Sequence, residues 1–201
     1  MKPIYVYPGS FCPPTYGHVS IVVKSAELLP EVIILCSNNQ DKSDRWFSED
    51  ECAEMWNAYS LPPNVRIITF SQFIREDISG ESIVMIRGIR NESDLDEEKK
   101  VALFNKTHFN IDKFFYIFGD KETEDISSSR ARQSAVDLDF MELALCVAPL
   151  VVTRLLEKVL QAKEVFMVVG PPGAGKSTLL QSLDTPLLRH SALDAESSNQ
   201  K

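Results

Sequence analysis

The fold is decided by a stretch near the N-terminus, Tyr7-Pro8-Gly9-Ser10-Phe11-Cys12-Pro13-Pro14-Thr15-Tyr16-Gly17-His18. The apolar run Ile4–Tyr7 at its start predicts a buried strand, and Val19–Leu29 after it predicts a helix. A strand, a tight Gly/Pro turn and a helix together point backbone N–H groups and a helix N-terminus at a phosphate. Ser10 adds a hydroxyl donor, and the ring of His18 can donate to a charged oxygen. An ordinary βα turn with a capping histidine would explain a lone Gly-x-His, but not the whole stretch.

Composition excludes several classes of protein. The chain has 201 residues, of which 44% are hydrophobic, enough for one full α/β core. Its net charge of −8, with no long basic run, argues against nucleic acid as a partner. No apolar run reaches the roughly 18 residues that span a membrane, and no leader peptide is visible. The four cysteines lack Cys-x-x-Cys spacing and are expected to be free thiols in a reducing cytoplasm.

Short apolar runs alternate along the chain with segments of helical periodicity. The runs predict five strands, at Ile4–Tyr7, Val32–Cys36, Val65–Phe70, Ile83–Ile86 and Phe114–Phe118. Further helices are predicted from a capping box at Ser48 to about Tyr59 and over roughly 72–78, 93–107, 128–136 and 148–162. This alternation favours the α/β class, with a doubly wound, parallel five-stranded sheet and helices on both faces. The loops after strands one, two, four and five are then predicted to open on one edge, where ligands bind.

Two later blocks suit phosphate groups. Arg87-Gly88-Ile89-Arg90 follows strand four and precedes an acidic helix that contains Asp94 and Glu98. Two arginines around a glycine can hold phosphate oxygens, although a solvated surface turn is the usual role of such a pair. Ile126-Ser127-Ser128-Ser129 opens a predicted helix, where hydroxyl and N–H groups can cradle phosphates or simply cap the helix. Arg130 or Arg132 could add positive charge there.

Together these motifs resemble those of one enzyme family. Thr15-Tyr16-Gly17-His18 is similar to the Thr-x-Gly-His motif of nucleotidyltransferases that bind a nucleoside triphosphate on a Rossmann-like α/β domain. The Pro-Gly-Ser-Phe-x-Pro segment, the Arg87–Arg90 block and the three serines most resemble the phosphopantetheine adenylyltransferases. The resemblance implies transfer of AMP from ATP to 4'-phosphopantetheine, which gives dephospho-coenzyme A and pyrophosphate. It also implies Mg²⁺ with the ATP and a homo-oligomer, a hexamer in bacterial relatives.

The resemblance also assigns the catalytic and ATP-binding residues. His18 would donate to an α-phosphate oxygen in the transition state, and Thr15 would position either His18 or the phosphate. Arg90 would neutralise charge as pyrophosphate leaves, and Lys42 would be the catalytic lysine. ATP would be bound by residues from the three blocks and the acidic helix, namely Ser10, Phe11, His18, Gly88, Ile89, Arg90, Glu98, Ser127, Ser128 and Ser129.

The acceptor site follows from the same resemblance. Arg87 would contact the phosphate of phosphopantetheine, and Ser10 would lie between acceptor and nucleotide. The remaining acceptor contacts would be Lys42, Ile74 and Asn105. Ile74 and its neighbour Phe73 fall where the family has apolar residues beside the pantetheine arm, and ordinary core packing explains them equally well.

Two departures from the family pattern bear on activity. Cys12 stands where the family usually has aspartate, and a neutral thiol is a weaker hydrogen-bond partner than a carboxylate. The catalytic lysine is displaced: counting back from Phe47 places Asp44 there, while counting forward from strand two places Lys42. We expect Lys42 to serve, with Arg45 as its stand-in.

The C-terminal part contains a second phosphate motif. Gly170-Pro171-Pro172-Gly173-Ala174-Gly175-Lys176-Ser177 follows an apolar run and resembles the P-loop of kinases. A P-loop domain needs about 150 residues, far more than follow Ser177. We therefore interpret 163–184 as the start of a truncated P-loop domain after a 1–162 nucleotidyltransferase domain, and 185–201 as a disordered tail. Two alternatives remain for the whole chain: a nucleotidyltransferase for nicotinate mononucleotide or another small phosphate, or a degenerate nucleotide-binding module without activity.

Overall fold

Five parallel strands form the centre of the molecule. The computed structural model describes residues 2–37, 45–76, 81–89 and 92–162. The strands are β1 (Lys2–Gly9), β2 (Val32–Cys36), β3 (Val65–Thr69), β4 (Glu81–Ile89) and β5 (Phe114–Phe118), in the order β3-β2-β1-β4-β5. All neighbouring pairs are parallel, so the predicted doubly wound, parallel five-stranded sheet is confirmed.

The strand order places a reversal between β1 and β4. From β1 the chain moves outward to β2 and β3, and it then returns to the other side of β1 as β4 and continues to β5. Doubly wound sheets bind ligands at the carboxyl ends of the strands that flank such a reversal. The carboxyl end of β1 begins the quoted stretch and that of β4 carries Arg87 and Gly88, so the topology brings two of the three motifs together.

Seven helices connect and cover the strands in the described part of the chain. They are α1 (Tyr16–Leu28), α2 (Glu49–Met55), α3 (Phe70–Phe73), α4 (Glu92–Phe109), α5 (Ser128–Val136), α6 (Phe140–Cys146) and α7 (Pro149–Ala162). Short 3-10 turns lie at Trp56–Ala58 and Lys121–Thr123. Helix α1 begins earlier than predicted because Thr15 caps it and His18 completes the capping box.

One predicted helix has the wrong bounds, and one helix was not predicted. Helix α3 ends at Phe73, whereas the pattern predicts a helix over 72–78. Helix α6 was not predicted, because Phe140 and Met141 are 55% and 81% exposed and blur the apolar stripe that would identify a helix. The start of α6 is determined by local features and not by an apolar stripe. Leu138, after α5, has φ 58°, and the Asp139 side chain caps α6 by accepting a hydrogen bond from Glu142 N.

The two faces of the sheet are unequally covered. Alternate residues of the strands, among them Tyr7, Ile34 and Ile86, join a large core with α1, α2, α5, α6 and α7. The opposite face has a small cluster of five buried residues, Val6, Ile33, Leu35, Ile68 and Phe73. The helix that carries His18 and the helix that begins at the three serines therefore pack against the same large core.

The described residues belong to one compact unit, Met1–Ala162. Among their helices, none combines the length and apolarity needed to cross a membrane. The predicted P-loop fragment over 163–184 and the predicted tail over 185–201 lie outside the described residues and stay predictions.

Candidate active site

The predicted phosphate-binding blocks meet in one cleft at the carboxyl edge of the sheet. Its volume is about 400 Å³, which suits a small-molecule ligand. Eight of the predicted site residues line it: Ser10, Phe11, His18, Arg87, Gly88, Glu98, Ser127 and Ser128. Segments distant in sequence thus come together because β1 and β4 are neighbours and α5 begins beside them.

The ring of His18 is oriented from behind by Thr15. The backbone N–H of Thr15 donates to His18 Nδ1 at 3.1 Å, and Thr15 Oγ1 lies 3.0 Å from the same nitrogen. A backbone N–H can only donate, so Nδ1 is an acceptor and the ring proton resides on Nε2. Thr15 is fully buried. It therefore does not touch a ligand but sets the tautomer in which the other ring nitrogen is a donor.

Aromatic packing holds the ring in place. The Phe11 ring lies edge-on to His18 with centroids 5.1 Å apart, and edge-on to Trp56 at the same separation. Phe11 has φ 42°, and its ring packs over Gly9, where an added Cβ would lie 2.7 Å from ring carbons. A left-handed Phe is uncommon and Gly9 provides the space for its ring. Phe11, predicted to bind ATP, is 3% exposed and packs mainly against other rings.

The serine block forms the second wall of the cleft. Ser127 is the N-cap of α5, and its side chain accepts from Arg130 N at 3.2 Å. Ser128 Oγ donates to the Pro13 carbonyl at 2.7 Å, which ties the start of α5 to the loop before His18. Ser127 and Ser128 line the cleft beside the helix N-terminus, an arrangement that favours anions.

The two arginines of α5 are engaged outside the cleft. Arg130 pairs with Glu142 of α6. Arg132 Nη1 donates to the Cys12 carbonyl at 2.5 Å, and its Nη2 donates to Ser129 Oγ at 3.2 Å. Neither lines the cleft. Arg132 holds the loop before His18 in place. Among the described residues that line the cleft, Arg87 is the one arginine or lysine.

Arg87 and Glu98 form a bidentate ion pair. Arg87 Nε donates to Glu98 Oε2 and Nη2 to Oε1, both at 2.6 Å. Burial opposes the charge on Arg87, but the hydrogen bonds and charge of Glu98 outweigh it and raise the guanidinium pKa. A guanidinium has five N–H donors, and this carboxylate takes one from Nε and one from Nη2. Glu98 thus orients Arg87 in the wall of the cleft.

Several predicted site residues do not line the cleft. Ile89 is 1% exposed within the sheet, and Ser129 accepts from Arg132. Ile74, at 65% exposure, follows α3, and its neighbour Phe73 is buried in the small core. Asn105 donates to the Val101 carbonyl at 2.9 Å. Helix α4 leaves the carboxyl edge after Glu98, which carries Asn105 away from it. Lys42, its alternative Asp44 and Arg90 lie outside the described residues.

Cys12 lies beneath the loop and not in the cleft. It is 6% exposed, and its pKa is lowered to about 6. A hydrogen bond with Cys52 is the largest cause of this low pKa, and burial opposes it. The pKa is lowered further by backbone groups of Phe47 and Trp46 and by the charge of Arg132. A thiolate there would carry the negative charge that an aspartate carries at this position in the family. The neutral thiol expected from the sequence is therefore not the form that the surroundings favour.

Sequence reasoning missed residues on both sides of the loop. Gly119 and Thr123 line the cleft after β5, at a strand end that the parallel topology marked but where no motif stood out. Tyr59 binds the carbonyl of Pro14, and Arg132, predicted only as a possible positive charge, binds the carbonyl of Cys12. No periodicity or motif could have found these two contacts, since each reaches the loop across the fold. Arg45, the suggested stand-in for the lysine, donates to the Phe47 carbonyl.

The fold and this cleft define a nucleotide-binding α/β protein with an oriented histidine beside its phosphate-binding loop. The sequence model of the Cytidylyltransferase-like family matches residues 6–134. The chain belongs to that family.

Curated relatives of the chain belong to one group within this family, the phosphopantetheine adenylyltransferases. The phosphopantetheine adenylyltransferase of Mannheimia succiniciproducens is 28% identical over 159 residues, which cover 79% of this chain and 99% of the relative. The phosphopantetheine adenylyltransferase of Syntrophomonas wolfei is 34% identical over 134 residues, 65% of this chain and 82% of the relative. These relatives confirm the predicted resemblance to phosphopantetheine adenylyltransferases and the predicted enzyme class.

A solved structure supports the fold. Plasmodium falciparum nicotinic acid mononucleotide adenylyltransferase, complexed with NaAD, aligns with a TM-score of 0.56 and 18% identity. The alignment covers 78% of this chain and 96% of that one. This confirms the Rossmann-like architecture.

Proposed function

We propose that the protein transfers the adenylyl group of ATP to 4'-phosphopantetheine, giving dephospho-coenzyme A and pyrophosphate. The observation that carries this proposal is the cleft in which His18, Arg87 and the Ser127–Ser128 helix start face one space. The relatives named above support the choice of acceptor. The acceptor phosphate is anionic near neutral pH, so neither a nucleophilic side chain nor a strong base is needed.

The reaction is an in-line displacement at phosphorus. An oxygen of the acceptor phosphate attacks the α-phosphorus of ATP, the bond to the β-phosphate oxygen breaks, and pyrophosphate leaves with the electron pair. Catalysis then rests on alignment and on neutralising charge at the α-phosphate. His18 acts as the hydrogen-bond donor through Nε2, since Thr15 occupies Nδ1.

The other predicted residues take complementary roles. Arg87, oriented by Glu98, receives the acceptor phosphate, and Ser10 lies between the acceptor and the nucleotide. The start of α5 with Ser127 and Ser128 receives the leaving phosphates. Lys42 and Arg90 keep the roles given by resemblance, stabilising charge as pyrophosphate leaves.

Mg²⁺ enters this scheme as part of the substrate, bound to the triphosphate. Among the described residues, no group of three or more His, Cys, Asp or Glu is placed to hold a metal ion. In the proposed reaction the ligands of this ion come chiefly from the phosphate oxygens of ATP. The protein's contribution is to bind and orient the MgATP complex.

The remaining expectations are part of the proposal. They comprise a cytoplasmic homo-oligomer, a hexamer as in bacterial relatives, and a P-loop fragment over 163–184 that hydrolyses no ATP alone. Light scattering of the purified chain tests the oligomer. ATPase activity that survives His18→Ala and disappears in Lys176→Ala would contradict the view of the fragment.

Pyrophosphate release tests the function. The protein is supplied with MgATP and, separately, 4'-phosphopantetheine, nicotinate mononucleotide or no acceptor. Product with 4'-phosphopantetheine alone supports the proposal, and product with nicotinate mononucleotide supports the alternative substrate. No product with any acceptor indicates a non-catalytic nucleotide-binding module.

The same assay tests His18. We expect His18→Ala to lower kcat by about 10²-fold or more, with a modest change in the KM for ATP, because the donated hydrogen bond matters most in the transition state. Turnover near that of the wild type would refute the role of His18.

A further inference from the structure

Three successive carbonyls before His18 are each bound by a side chain from elsewhere in the fold. The carbonyl of Cys12 accepts from Arg132, that of Pro13 from Ser128 and that of Pro14 from Tyr59. Pro13 and Pro14 have no N–H, so these carbonyls are the main polar groups through which this segment can be held. The last of the three contacts bears directly on the catalytic ring.

The hydroxyl of Tyr59 connects two buried backbone segments. It donates to the Pro14 carbonyl at 2.8 Å and accepts from the N–H of Ala148, next to the start of α7, at 3.3 Å. Tyr59 is 8% exposed, and burial raises the pKa of its hydroxyl. The hydroxyl therefore stays protonated, and able to donate, at neutral pH.

The Pro14 carbonyl and the Thr15 N–H belong to the same peptide group. One end of this group accepts from Tyr59, and the other donates to His18 Nδ1 at 3.1 Å. Because a peptide group is planar and rigid, the hydrogen bond from Tyr59 to its carbonyl also fixes the direction in which its N–H points at His18. Hydrogen bonds at the two ends also polarise and strengthen one another.

A run of aromatic contacts links the same two residues. Tyr59 lies edge-on to Trp56 with centroids 5.9 Å apart, and Trp56 lies edge-on to Phe11, which contacts His18. Tyr59 does not line the cleft. Its influence on a ligand can only be indirect.

We propose that Tyr59 is a positioning residue for His18, acting through the peptide group between Pro14 and Thr15. The Tyr59 hydroxyl fixes the plane of that peptide, the Thr15 N–H then occupies Nδ1, and the ring proton is kept on Nε2, facing the nucleotide. This inference rests on the proposed role of His18 as a donor.

The test uses Tyr59→Phe in the full chain, which removes the hydroxyl and keeps the ring. We expect kcat for pyrophosphate release to fall about 10-fold, with less than about a twofold change in the KM for ATP. Imidazole ¹⁵N NMR, with His18 assigned by comparison with His18→Ala, reports the tautomer without any substrate. The wild type should show a protonated Nε2 and an unprotonated Nδ1, and the variant a mixture of forms.

Val159→Ala is the matched control. Val159 is a buried α7 residue of the large core and donates none of the three hydrogen bonds to the loop carbonyls, so its truncation destabilises the protein and leaves those hydrogen bonds in place. We expect Val159→Ala to keep both the wild-type tautomer and the wild-type kcat despite a lower midpoint of thermal unfolding. Tyr59→Met, which also removes the hydroxyl and fills the site with a flexible side chain, repeats the test if Tyr59→Phe does not fold.

The outcomes are distinguishable. A wild-type His18 tautomer or a wild-type kcat in Tyr59→Phe overturns the inference, and so does an equal tautomer change in Val159→Ala. If no acceptor yields product with the wild type, the proposed function fails. A tautomer change confined to the Tyr59 variants would still establish the positioning contact in that case.

Discussion

Gly17, one residue before His18, faces the backbone of the segment that leads to the serine block. A Cβ added there would lie 2.8 Å from the Ile126 carbonyl oxygen and 3.4 Å from that of Thr123. Ordinary contacts of a Cβ begin near 3.4 Å. The obstacle is backbone, so it cannot rotate away like a side-chain end. In Gly17→Ala, the start of α1 and the segment before α5 must separate by about 0.6 Å, the difference of those two distances.

That separation moves the two walls of the cleft apart. His18 follows Gly17 on one side, and Ser127 follows Ile126 on the other. A misplacement of about 1 Å can cost about 10²-fold in rate, so about 0.6 Å is expected to lower kcat about 10-fold. Stability should change little, because alanine in place of glycine inside a helix contributes up to about 1 kcal/mol and offsets part of the clash.

Steady-state pyrophosphate release and thermal unfolding measure the two effects separately. Glu27→Ala, an exposed substitution on the same helix, should leave both unchanged. A kcat for Gly17→Ala within twofold of the wild type would show that the contact relaxes without moving His18. A fall in the unfolding midpoint of more than about 10 °C would show that the helix start is disrupted and not displaced.

Two further predictions concern charged groups. Glu98→Ala leaves Arg87 unpaired in a mostly buried site and should cost about 3 kcal/mol of unfolding free energy in urea. Asp96→Ala, which removes an exposed ion pair from the same helix, should leave the unfolding free energy nearly unchanged, and equal losses in the two variants would contradict the reasoning. The second prediction concerns the thiol of Cys12, whose pKa of about 6 in the folded protein lies below its ordinary value near 8.5. Because the folded pKa is the lower one, the thiolate stabilises the folded protein fully above pH 8.5. This stabilisation is lost as the pH falls through 6. The unfolding free energy of the wild type minus that of Cys12→Ser should therefore rise between pH 6 and 8.5, by about 1.4 kcal/mol per pH unit at most. A flat difference, or the same rise with Cys146→Ser, where burial raises the thiol pKa, would refute it.

The strands were the most predictable part of the fold. β2 and β5 have the predicted bounds because each is a short apolar run between polar or turn-forming residues. The meeting of the three motifs was also predictable, since parallel strands place their carboxyl ends on one edge. Helix α6 was not, because its exposed Phe140 and Met141 hide the stripe formed by Leu143 and Cys146.

Roles within the site were less predictable than its location. The sequence separates Arg87 from Glu98 and predicts a different ligand for each, whereas the fold pairs them through two hydrogen bonds. Asn105 shares a helix with Glu98 but lies further from the carboxyl edge. Whether a residue on a helix reaches a cleft depends on the direction of the helix axis, which a motif does not contain.

The sequence by itself determined the α/β class and the strand, Gly/Pro turn and helix that place His18 at the start of α1, because strand periodicity, turns and helix caps are local properties of the chain. Only the tertiary structure decided how that histidine is held. The carbonyls of Cys12, Pro13 and Pro14 accept hydrogen bonds from the side chains of Arg132, Ser128 and Tyr59, which lie between 45 and 120 residues away in sequence. The carbonyls of a proline-containing loop can accept from any donor that packs beside them. Which donor that is depends on the packing of distant segments in the folded core.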